Sequence, residues 1–546
     1  MSPTLPMPFR PTRLLVLSGA LWALGGCSFA PAPAAPEPLE RLPEAFAEAE
    51  SPGAYTPLRW WEGYGDPTLD RLIDTVLAAN LDLVEAMSRV EESRALAGIA
   101  TADLLPSLNG SASAGRSSNP NNAGFGRQIA ALLGGASGDS TGAMPDSAAA
   151  APPDRFESTD YSASLALSYE LDFWGRARND REAALRDLQA SESDLQSAVL
   201  GVLAETITAY FDLSDLRQRI EVSREIVDVL RERAALTQTR YDRGLVGSFE
   251  LYQIRQDLRN TEAALPQIEA LLHDARGRLA VLAGRYPTEL APLLAETRLP
   301  SDPFADLPSS IPADLLWQRP DVRAAGLRLE SARFRVGARR AELLPRLSLT
   351  GTLGLQSAEA DGLFDLSQWF SNLTTGLTAP LFQGGRLRAN VRAQEARWVQ
   401  QSAAYGRTVL TAVAEVEAAL ARHRLERERF AFLTSQLDEA SASVDLQSRR
   451  YSSGVAGYAD YLDALRTRLT VQSTLSAASR DYALSRLGVH RALGGSWLDG
   501  AAVPPAPPTA SDGPAGGLDA SDSSDAPAGA LDASNHSDAP EGSFLP

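Results

Sequence analysis

An internal duplication constrains this chain more than any other feature of its 546 residues. Leu104–Leu108 matches Leu343–Leu347 at an offset of 239 residues, and Gly175-Arg176 matches Gly385-Arg386 at an offset of 210. Because the offset falls by 29, the first copy carries 29 additional residues between these two points. One structural unit therefore occurs twice, and the fold of either copy predicts the fold of the other.

Each copy is predicted to contain a helix, two strands, a long helix, a turn and a return helix. In the first copy, Leu69–Asp103 is predicted to be one helix, opened by Asp66-Pro67 as N-cap and first-turn residue. Alternating apolar residues predict four strands, at 105–115, 161–173, 344–356 and 373–382. The second strand places Tyr161, Leu165 and Tyr169 on one face. Strands of about ten residues with one apolar face are typical of membrane β-barrels.

The segment after the second strand of each copy contains no proline over a very long distance. We predict one helix over Arg176–Tyr241 and another over Arg386–Tyr451, each about 100 Å long at 1.5 Å per residue. Leu188, Leu195 and Val202 recur every seven residues, as in a coiled-coil seam. Two such helices, each reversing at a Tyr-x-x-Gly turn, predict a rod and not a compact globular domain.

Four predicted strands are too few to close a barrel in a membrane. Eight strands are about the minimum, and an open sheet in lipid would leave backbone N–H and C=O groups unpaired. Several copies of the chain must therefore share one barrel. The sequence predicts a mostly α-helical fold with transmembrane β-strands, built by an oligomer in which each chain contributes four strands.

The N-terminus resembles a bacterial lipoprotein signal. Two arginines precede an apolar run over Leu14–Leu24, and Gly25-Gly26-Cys27 follows. The run is too short to span a membrane as a mature helix, so we predict a signal peptide over 1–26 and lipidation of Cys27, the only cysteine. The alternative is an ordinary signal peptide with an incidental cysteine. The residue after Cys27 is Ser28 and not Asp. This resembles the signals of Gram-negative lipoproteins that are sorted to the outer membrane.

The remaining boundaries follow from composition and from the repeat. A Pro- and Ala-rich stretch over 27–57 is predicted to tether the lipid to the body. The first repeat covers 58–284 and the second covers 311–497, joined by a linker over 285–310. Within the first β-hairpin, at 104–174, residues 117–157 are predicted to be a long loop, and 498–546 to be a disordered acidic tail.

Composition excludes several classes of function. The chain has 51 basic and 69 acidic residues, a net charge of −18, and no lysine. It therefore lacks a Walker-type phosphate loop and a Schiff-base lysine, and its acidity makes nucleic acid a poor partner. Its four histidines are scattered, without metal-ligand spacing. We expect no enzyme activity, no catalytic residue, no metal and no cofactor apart from the covalent lipid on Cys27.

Several motifs resemble one known family in their order and spacing. They are Trp60-Trp61, Tyr169–Arg176, Ile311–Leu316, Arg319-Pro320-Asp321-Val322 and Pro380–Arg386. Together they are similar to the TolC-like outer membrane factor family, in particular to its lipoprotein branch in resistance–nodulation–division efflux systems. The resemblance implies a homotrimer with a 12-stranded β-barrel in the outer membrane, continued by a long periplasmic α-helical barrel.

The same resemblance implies partners, localisation and function. The trimer would be lipid-anchored in the outer membrane and extend into the periplasm, as the exit duct of a tripartite efflux system. It would conduct drugs or other small solutes passively from a periplasmic adaptor and an inner-membrane efflux pump. Two alternatives are the exit duct of a type I protein secretion system and a non-conducting structural envelope lipoprotein. The lipid anchor favours efflux, and the apolar-faced strands disfavour the structural role.

An acidic pair after the second turn is the candidate periplasmic gate. Asp460 and Asp463 are three residues apart and lie on one helical face, followed by Arg466. The resemblance implies that the two acids ring the periplasmic aperture and that Arg466 holds it shut. Symmetry would multiply each charge, so the ring should attract cations. The alternative is a solvated helix face. The first copy has Glu250 and Gln253 instead, which makes the two hairpins inequivalent.

The two helical turns are the candidate adaptor-docking tips. Their residues are Gly244, Leu245, Val246 and Gly247 in the first hairpin, and Gly454, Val455, Ala456 and Gly457 in the second. The glycines are expected where a helical hairpin needs positive φ. The resemblance implies that these apolar tips also contact the hairpin of a periplasmic adaptor.

Overall fold

The computed structural model describes residues 29–32, 59–120, 155–297, 299 and 313–495. The predicted signal peptide, Cys27, most of the tether, the centre of the long loop and the acidic tail lie outside the described residues.

The helices repeat with matching bounds, which confirms the duplication. Two helices precede the first sheet hairpin, α1 (Pro67–Ala79) and α2 (Leu81–Ala102), and α2 corresponds to α6 (Pro320–Ala341). The long helices are α3 (Arg176–Asp242) and α7 (Arg386–Ser452), of 67 residues each. Their return helices are α4 (Ser248–Leu282) and α8 (Tyr458–Ala492), of 35 residues each. The predicted bounds of both long helices are therefore confirmed to within one residue.

The helix predicted over Leu69–Asp103 is wrong in one respect, because the chain breaks at Asn80. Asn80 is extended, with φ −67° and ψ 128°, and its side-chain oxygen accepts a hydrogen bond from the Leu83 amide at 3.0 Å. Its side-chain amide donates to the Leu282 carbonyl at 2.9 Å. An asparagine that caps the next helix satisfies an amide that would otherwise be unpaired. The break therefore ties α1 and α2 to the end of α4.

The second repeat has an equivalent tie made by different chemistry. Arg319, at the Asn80 position, is buried and donates to the Ala492 carbonyl at 2.6 Å. It also contacts Asp321 at 2.8 Å and Glu415 at 2.7 Å. The Arg-Pro-Asp motif therefore fastens the start of α6 to the end of α8 and to the middle of α7.

The predicted linker 285–310 contains a short helix. Helix α5 covers Pro287–Leu294, and Leu290 and Leu294 are buried in the main hydrophobic core. Pro287 supplies the first helical position, where a missing N–H costs nothing. Just before it, Gly284 has φ +60°, and a Cβ there would collide with the Ala79 carbonyl oxygen.

The four strands form one antiparallel sheet in the order β1-β2-β3-β4. The strands are β1 (Ser107–Pro120), β2 (Arg155–Leu171), β3 (Arg346–Ser357) and β4 (Trp369–Thr378). β1 and β4 are the two edges of this sheet, with no strand of the same chain beyond them among the described residues. The sheet is therefore open on both sides in a single chain.

Two strand predictions are corrected. β1 and β2 extend into the predicted loop 117–157, because the polar residues there pair across the strands, as when Ser117 and Ser158 hydroxyls lie 2.7 Å apart. β4 begins at Trp369 and ends at Thr378, earlier than the predicted 373–382. Pro380, which has no N–H to donate, follows the last pair, Arg346 opposite Thr378.

The predicted division of the sheet into an apolar and a polar face is confirmed. Leu165 lies opposite Leu353, and Leu167 opposite Gly351, on the same face as Tyr161 and Tyr169. The other face carries serine pairs, including Ser111 with Ser164 at 3.1 Å and Ser113 with Ser162 at 2.8 Å. One face suits lipid and the other suits water.

The main hydrophobic core lies where the short helices pack on the long helix α3. It buries Tyr210 and Phe211 completely, together with Leu195 and Val202 of the predicted heptad seam, against which Leu188 packs. Within the described residues, no helix is both long enough and apolar enough to cross a membrane.

Candidate gate and docking tips

Both hairpin turns end their long helices in the same way. Gly244 has φ +70° and Gly454 has φ +71°. The Leu245 amide donates to the Arg240 carbonyl, and the Val455 amide to the Arg450 carbonyl, both at 2.9 Å. This is the Schellman arrangement, in which a left-handed glycine closes the helix. The prediction of positive φ is confirmed for Gly244 and Gly454 and is wrong for Gly247 and Gly457.

The second glycine of each turn has a different role. Gly247 and Gly457 are extended, with φ −80° and −75°, and each is the N-cap of its return helix. The extended backbone lets the helix begin at once, so only five residues, 243–247 or 453–457, separate each long helix from its return helix.

The turns expose apolar side chains to solvent. Leu245 is 66% exposed and Val455 is 71% exposed, while Val246 and Ala456 are half-buried. Phe249, one helical turn further, is also exposed. The tips therefore present a small apolar surface at the end of the two hairpins.

The three predicted gate residues have three different partners. The Asp460 carboxylate accepts a hydrogen bond from the Gly457 amide at 3.0 Å and so caps α8. The Asp463 carboxylate forms an ion pair with Arg233 of α3. The Arg466 guanidinium lies 3.9 Å from Asp257 of α4. Asp463 and Arg466 therefore connect the second hairpin to the first.

A tyrosine cluster beside the gate was missed by the sequence analysis. The Tyr458 ring lies 4.8 Å from that of Tyr451 and 5.8 Å from that of Tyr461. Its hydroxyl donates to Glu232 of α3, which raises the pKa of Tyr458 to about 12. Glu232 and Arg233 lie about three helical turns before the first tip. No local sequence pattern marks these two residues. They are distinguished only by facing the second hairpin in the folded chain.

The equivalent positions in the first hairpin carry no such contacts. Glu250 and Gln253 are exposed, on a side of α4 that no helix of the described chain covers closely. The predicted inequivalence of the two hairpins is visible here, because the return helix α8 packs along α3 of the other hairpin, whereas the return helix α4 packs mainly on α3 of its own hairpin.

The segment just after Cys27 lies against α6. The Arg340 guanidinium donates to the Phe29 carbonyl and that of Arg333 to the Pro31 carbonyl, both at 3.4 Å. A Cβ on Gly337 would come within 2.8 Å of the Ala30 amide nitrogen. These residues occupy the end of α6 that leads into β3, so the start of the tether lies near the sheet.

No group of three or more His, Cys, Asp or Glu side chains is arranged to hold a metal ion in the described part of the chain.

Comparison with known proteins gives a consistent result. A family model described as outer membrane efflux protein matches residues 72–285 and 311–495. The chain is 32% identical to outer membrane protein OprJ of Pseudomonas aeruginosa over 494 residues, which cover 87% of this chain and 94% of the relative. It is 31% identical to the pyoverdine export outer membrane protein OpmQ of Pseudomonas putida over 444 residues, covering 80% and 88%.

Solved structures agree with this result. The Campylobacter jejuni CmeC outer membrane channel superposes with a TM-score of 0.74 at 26% identity, covering 86% of this chain and 95% of that one. The outer-membrane channel OprN superposes with a TM-score of 0.72 at 27% identity, covering 86% and 100%. By sequence and by fold, the chain belongs to the outer membrane efflux protein family.

Proposed function

We propose that three copies of this chain form the outer-membrane exit duct of a tripartite efflux system. The observation that carries the proposal is the four-stranded sheet with two open edges, joined to two helices of 67 residues. A sheet in lipid must close, and three copies would supply twelve strands. The names of the relatives, which include export of pyoverdine and efflux of toluene, support small solutes as cargo.

Two measurements test the proposal together. The purified protein is expected to migrate as a trimer in mild detergent and to form ion-conducting channels in planar bilayers. It is also expected to restore efflux-dependent drug resistance in a strain that lacks its own duct but keeps the matching adaptor and pump. A monomer without conductance would contradict it, and restoration of protein secretion alone would favour a type I secretion duct.

The proposed gate is the set of contacts between the two hairpins near the tips. Asp463 with Arg233, and Arg466 with Asp257, link α8 to both helices of the first hairpin. Asp460 keeps an exposed carboxylate next to this link. In a trimer these acids would form a narrow ring that attracts cations. Replacing both Asp460 and Asp463 by Ala should raise conductance and reduce cation preference, and an unchanged channel would refute this site.

The exposed tips are the proposed docking surface for a periplasmic adaptor. Apolar side chains on a tight turn give up little entropy when they are covered. Val455→Asp, or Val246→Asp in the first turn, should abolish pump-dependent resistance while trimer abundance stays normal. Ser453→Asp, on the same turn but polar already, is the matched control. Intact resistance in both valine variants would place docking elsewhere.

Lipidation of Cys27 is the proposed anchor. Residues 29–32 lie against the sheet end of α6, which would hold Cys27 close to the inner surface of the outer membrane. Several acyl chains on one residue give stable anchoring. Mass spectrometry of the N-terminal peptide should show a lipid-modified cysteine, and Cys27→Ser should prevent it. A mature N-terminus elsewhere than residue 27 would refute the assignment.

A further inference from the structure

A cleft lies where the sheet joins the helices of the second repeat. It is bounded by the end of α6, the first residue of β3, the segment that follows β4 and the start of α7, and its volume is about 540 Å³. Arg346 and Arg386 line it, together with Leu381 and Phe382. Leu381 is 94% exposed and Phe382 is 90% exposed. Two cations and an apolar wall therefore border one space.

The first repeat fills the corresponding position with its own carboxylate. Arg176 is the counterpart of Arg386 at the offset of 210. Its guanidinium donates to both carboxylate oxygens of Glu170, at 3.0 and 3.3 Å, and the Asp180 carboxylate lies 3.6 Å from it. The arginine that begins α3 is therefore neutralised within the chain.

The second repeat has lost both of these acids. Pro380 stands in place of Glu170, and Asn390 takes the place of the second acid. Arg386 donates to the side-chain oxygen of Gln383 and forms no ion pair with any residue that the structure describes. Because Arg386 is the first residue of α7, its charge lies at the positive end of the helix dipole, where an anion is favoured. The place of the missing carboxylate is open to one from outside the chain.

Arg346 adds a second cation and shows on which side the cleft opens. It stands in place of Ser107 of the first repeat, and it has no acidic partner within the described ranges. Along β3 it alternates with Leu347, so it lies on the polar face of the sheet. Glu170, which is opposite Ser348, lies on the same face. In the proposed trimer this face lines the water-filled lumen.

The neighbouring side chains do not compensate the two arginines. Glu342 borders the cleft, but its carboxylate is paired with Arg339. In the first repeat, the Asp172 carboxylate accepts a hydrogen bond from the Arg178 amide at 2.8 Å. The second repeat has Phe382 at the position of Asp172, so an aromatic ring replaces a carboxylate. The cleft therefore combines net positive charge with an apolar surface.

We propose that this cleft binds organic anions with an apolar body as they pass through the lumen. The inference rests on the proposed exit duct and names a class of solute for it. The guanidiniums of Arg346 and Arg386 hold the carboxylate, sulfonate or phosphate group, and Phe382 and Leu381 cover its apolar part. Since the chain has a net charge of −18, a positive cleft is a local site where anions concentrate. Three copies place three such clefts around the lumen, where the barrel meets the helices.

Ligand-observed NMR measures the binding directly. The probe is phenylbutyrate, which joins a carboxylate to an aromatic body, and it is added to the full-length trimer in nanodiscs of phosphatidylcholine. We expect saturable binding of phenylbutyrate and none of phenylbutanol, which has the same body without the charge. Arg386→Gln should weaken the binding about 10- to 100-fold through the loss of a charge-assisted hydrogen bond. Arg392→Gln removes the same charge from α7 outside the cleft, and as the matched control it should bind like the unaltered protein.

A substitution at Pro380 tests the comparison between the repeats. Pro380→Glu places a carboxylate where the first repeat has Glu170, so Arg386 should pair within the chain and phenylbutyrate binding should fall by a similar factor, although both arginines remain. Pro380→Gln has nearly the same shape without the charge and should keep the binding. If the Glu and Gln variants bind equally well, or if Arg386→Gln binds like the unaltered protein, the inference is wrong.

Two further results separate this inference from the alternatives. Adding phosphatidylglycerol to the nanodiscs at physiological ionic strength, where surface charge is screened, should leave the affinity unchanged. Displacement of phenylbutyrate by this lipid would assign the cleft to an anionic head group and overturn binding from the lumen. A trimer that conducts ions but binds no phenylbutyrate overturns the inference and leaves the exit duct intact, whereas a monomer without conductance overturns both.

Discussion

The ion pair between Asp463 and Arg233 offers a quantitative test of the gate. It joins α8 of the second hairpin to α3 of the first, close to both tips. Asp463→Ala removes one carboxylate per chain and leaves the Asp460 cap of α8 in place. The helices should therefore stay folded while the contact between hairpins weakens.

The size of the effect follows from the exposure of the pair. The Arg233 side chain is 26% exposed and that of Asp463 is 46% exposed, so solvent screens their attraction. Such pairs contribute about 0.2–1 kcal/mol each, and three copies would contribute about 0.6–3 kcal/mol to the closed state. Since about 1.4 kcal/mol is a factor of ten, the ratio of open to closed channels should rise about 3- to 100-fold.

Single-channel recording in planar bilayers measures this ratio directly. Arg233→Ala should open the channel as much as Asp463→Ala does, although it leaves the acidic ring complete, and the double variant should open it no further. Asp445→Ala, an exposed acid on α7 near the same end, is the control. If the effects of the two single variants add, or if only the Asp463 variant opens the channel, the residues do not act as a lock.

Three further predictions concern stability, each measured by the loss of helical circular dichroism on heating. Gly284→Ala should destabilise the protein by more than about 1–2 kcal/mol, because φ is +60° and the new Cβ meets the Ala79 carbonyl; Gly201→Ala, in open space within α3, should be neutral or stabilising. Arg319→Met should cost about 1–3 kcal/mol, because it leaves the buried Ala492 carbonyl without its donor, while Asp321 and Glu415 are exposed enough to remain hydrated. Burial opposes the charge of Asp321, but hydrogen bonds and charge from Arg319 outweigh it and lower the pKa of Asp321. The stabilisation is therefore present above the unfolded pKa of about 3.9 and is lost as pH falls through the lower folded pKa. The Asp321→Asn variant should be less stable than the unaltered protein at neutral pH, and it should lose less stability when the pH is lowered.

Much of the architecture follows from local pattern and repetition. The long helices were predictable because no proline interrupts either stretch of 66 residues and because two copies agree. The break at Asn80 was not, since its cause is a carbonyl of Leu282, more than two hundred residues away in sequence. The helix Pro287–Leu294 was not predicted because its sequence is short and proline-rich. It is stabilised by two leucines that are buried in the main hydrophobic core, a contact that the local sequence does not reveal.

The candidate site was predictable in position but not in its partners. Turn glycines and the acidic pair identified the tips and one side of the gate. The other side, Arg233 and Glu232, lies on a helix face defined only by how the two hairpins pack. Side chains that act across a repeat boundary carry no signal at fixed spacing, so sequence patterns do not reveal them.

The matched lengths of α3 and α7 restrict how proteins of this design can diverge. Both helices have 67 residues, and both return helices have 35. Removing one heptad from each helix of a single hairpin would shorten that hairpin by about 10 Å. Its tip would then no longer be level with the tip of the other hairpin. Insertions and deletions in the long helices should therefore occur in both repeats at once. The two β-hairpins can differ in length, as the 29 additional residues of the first copy already show.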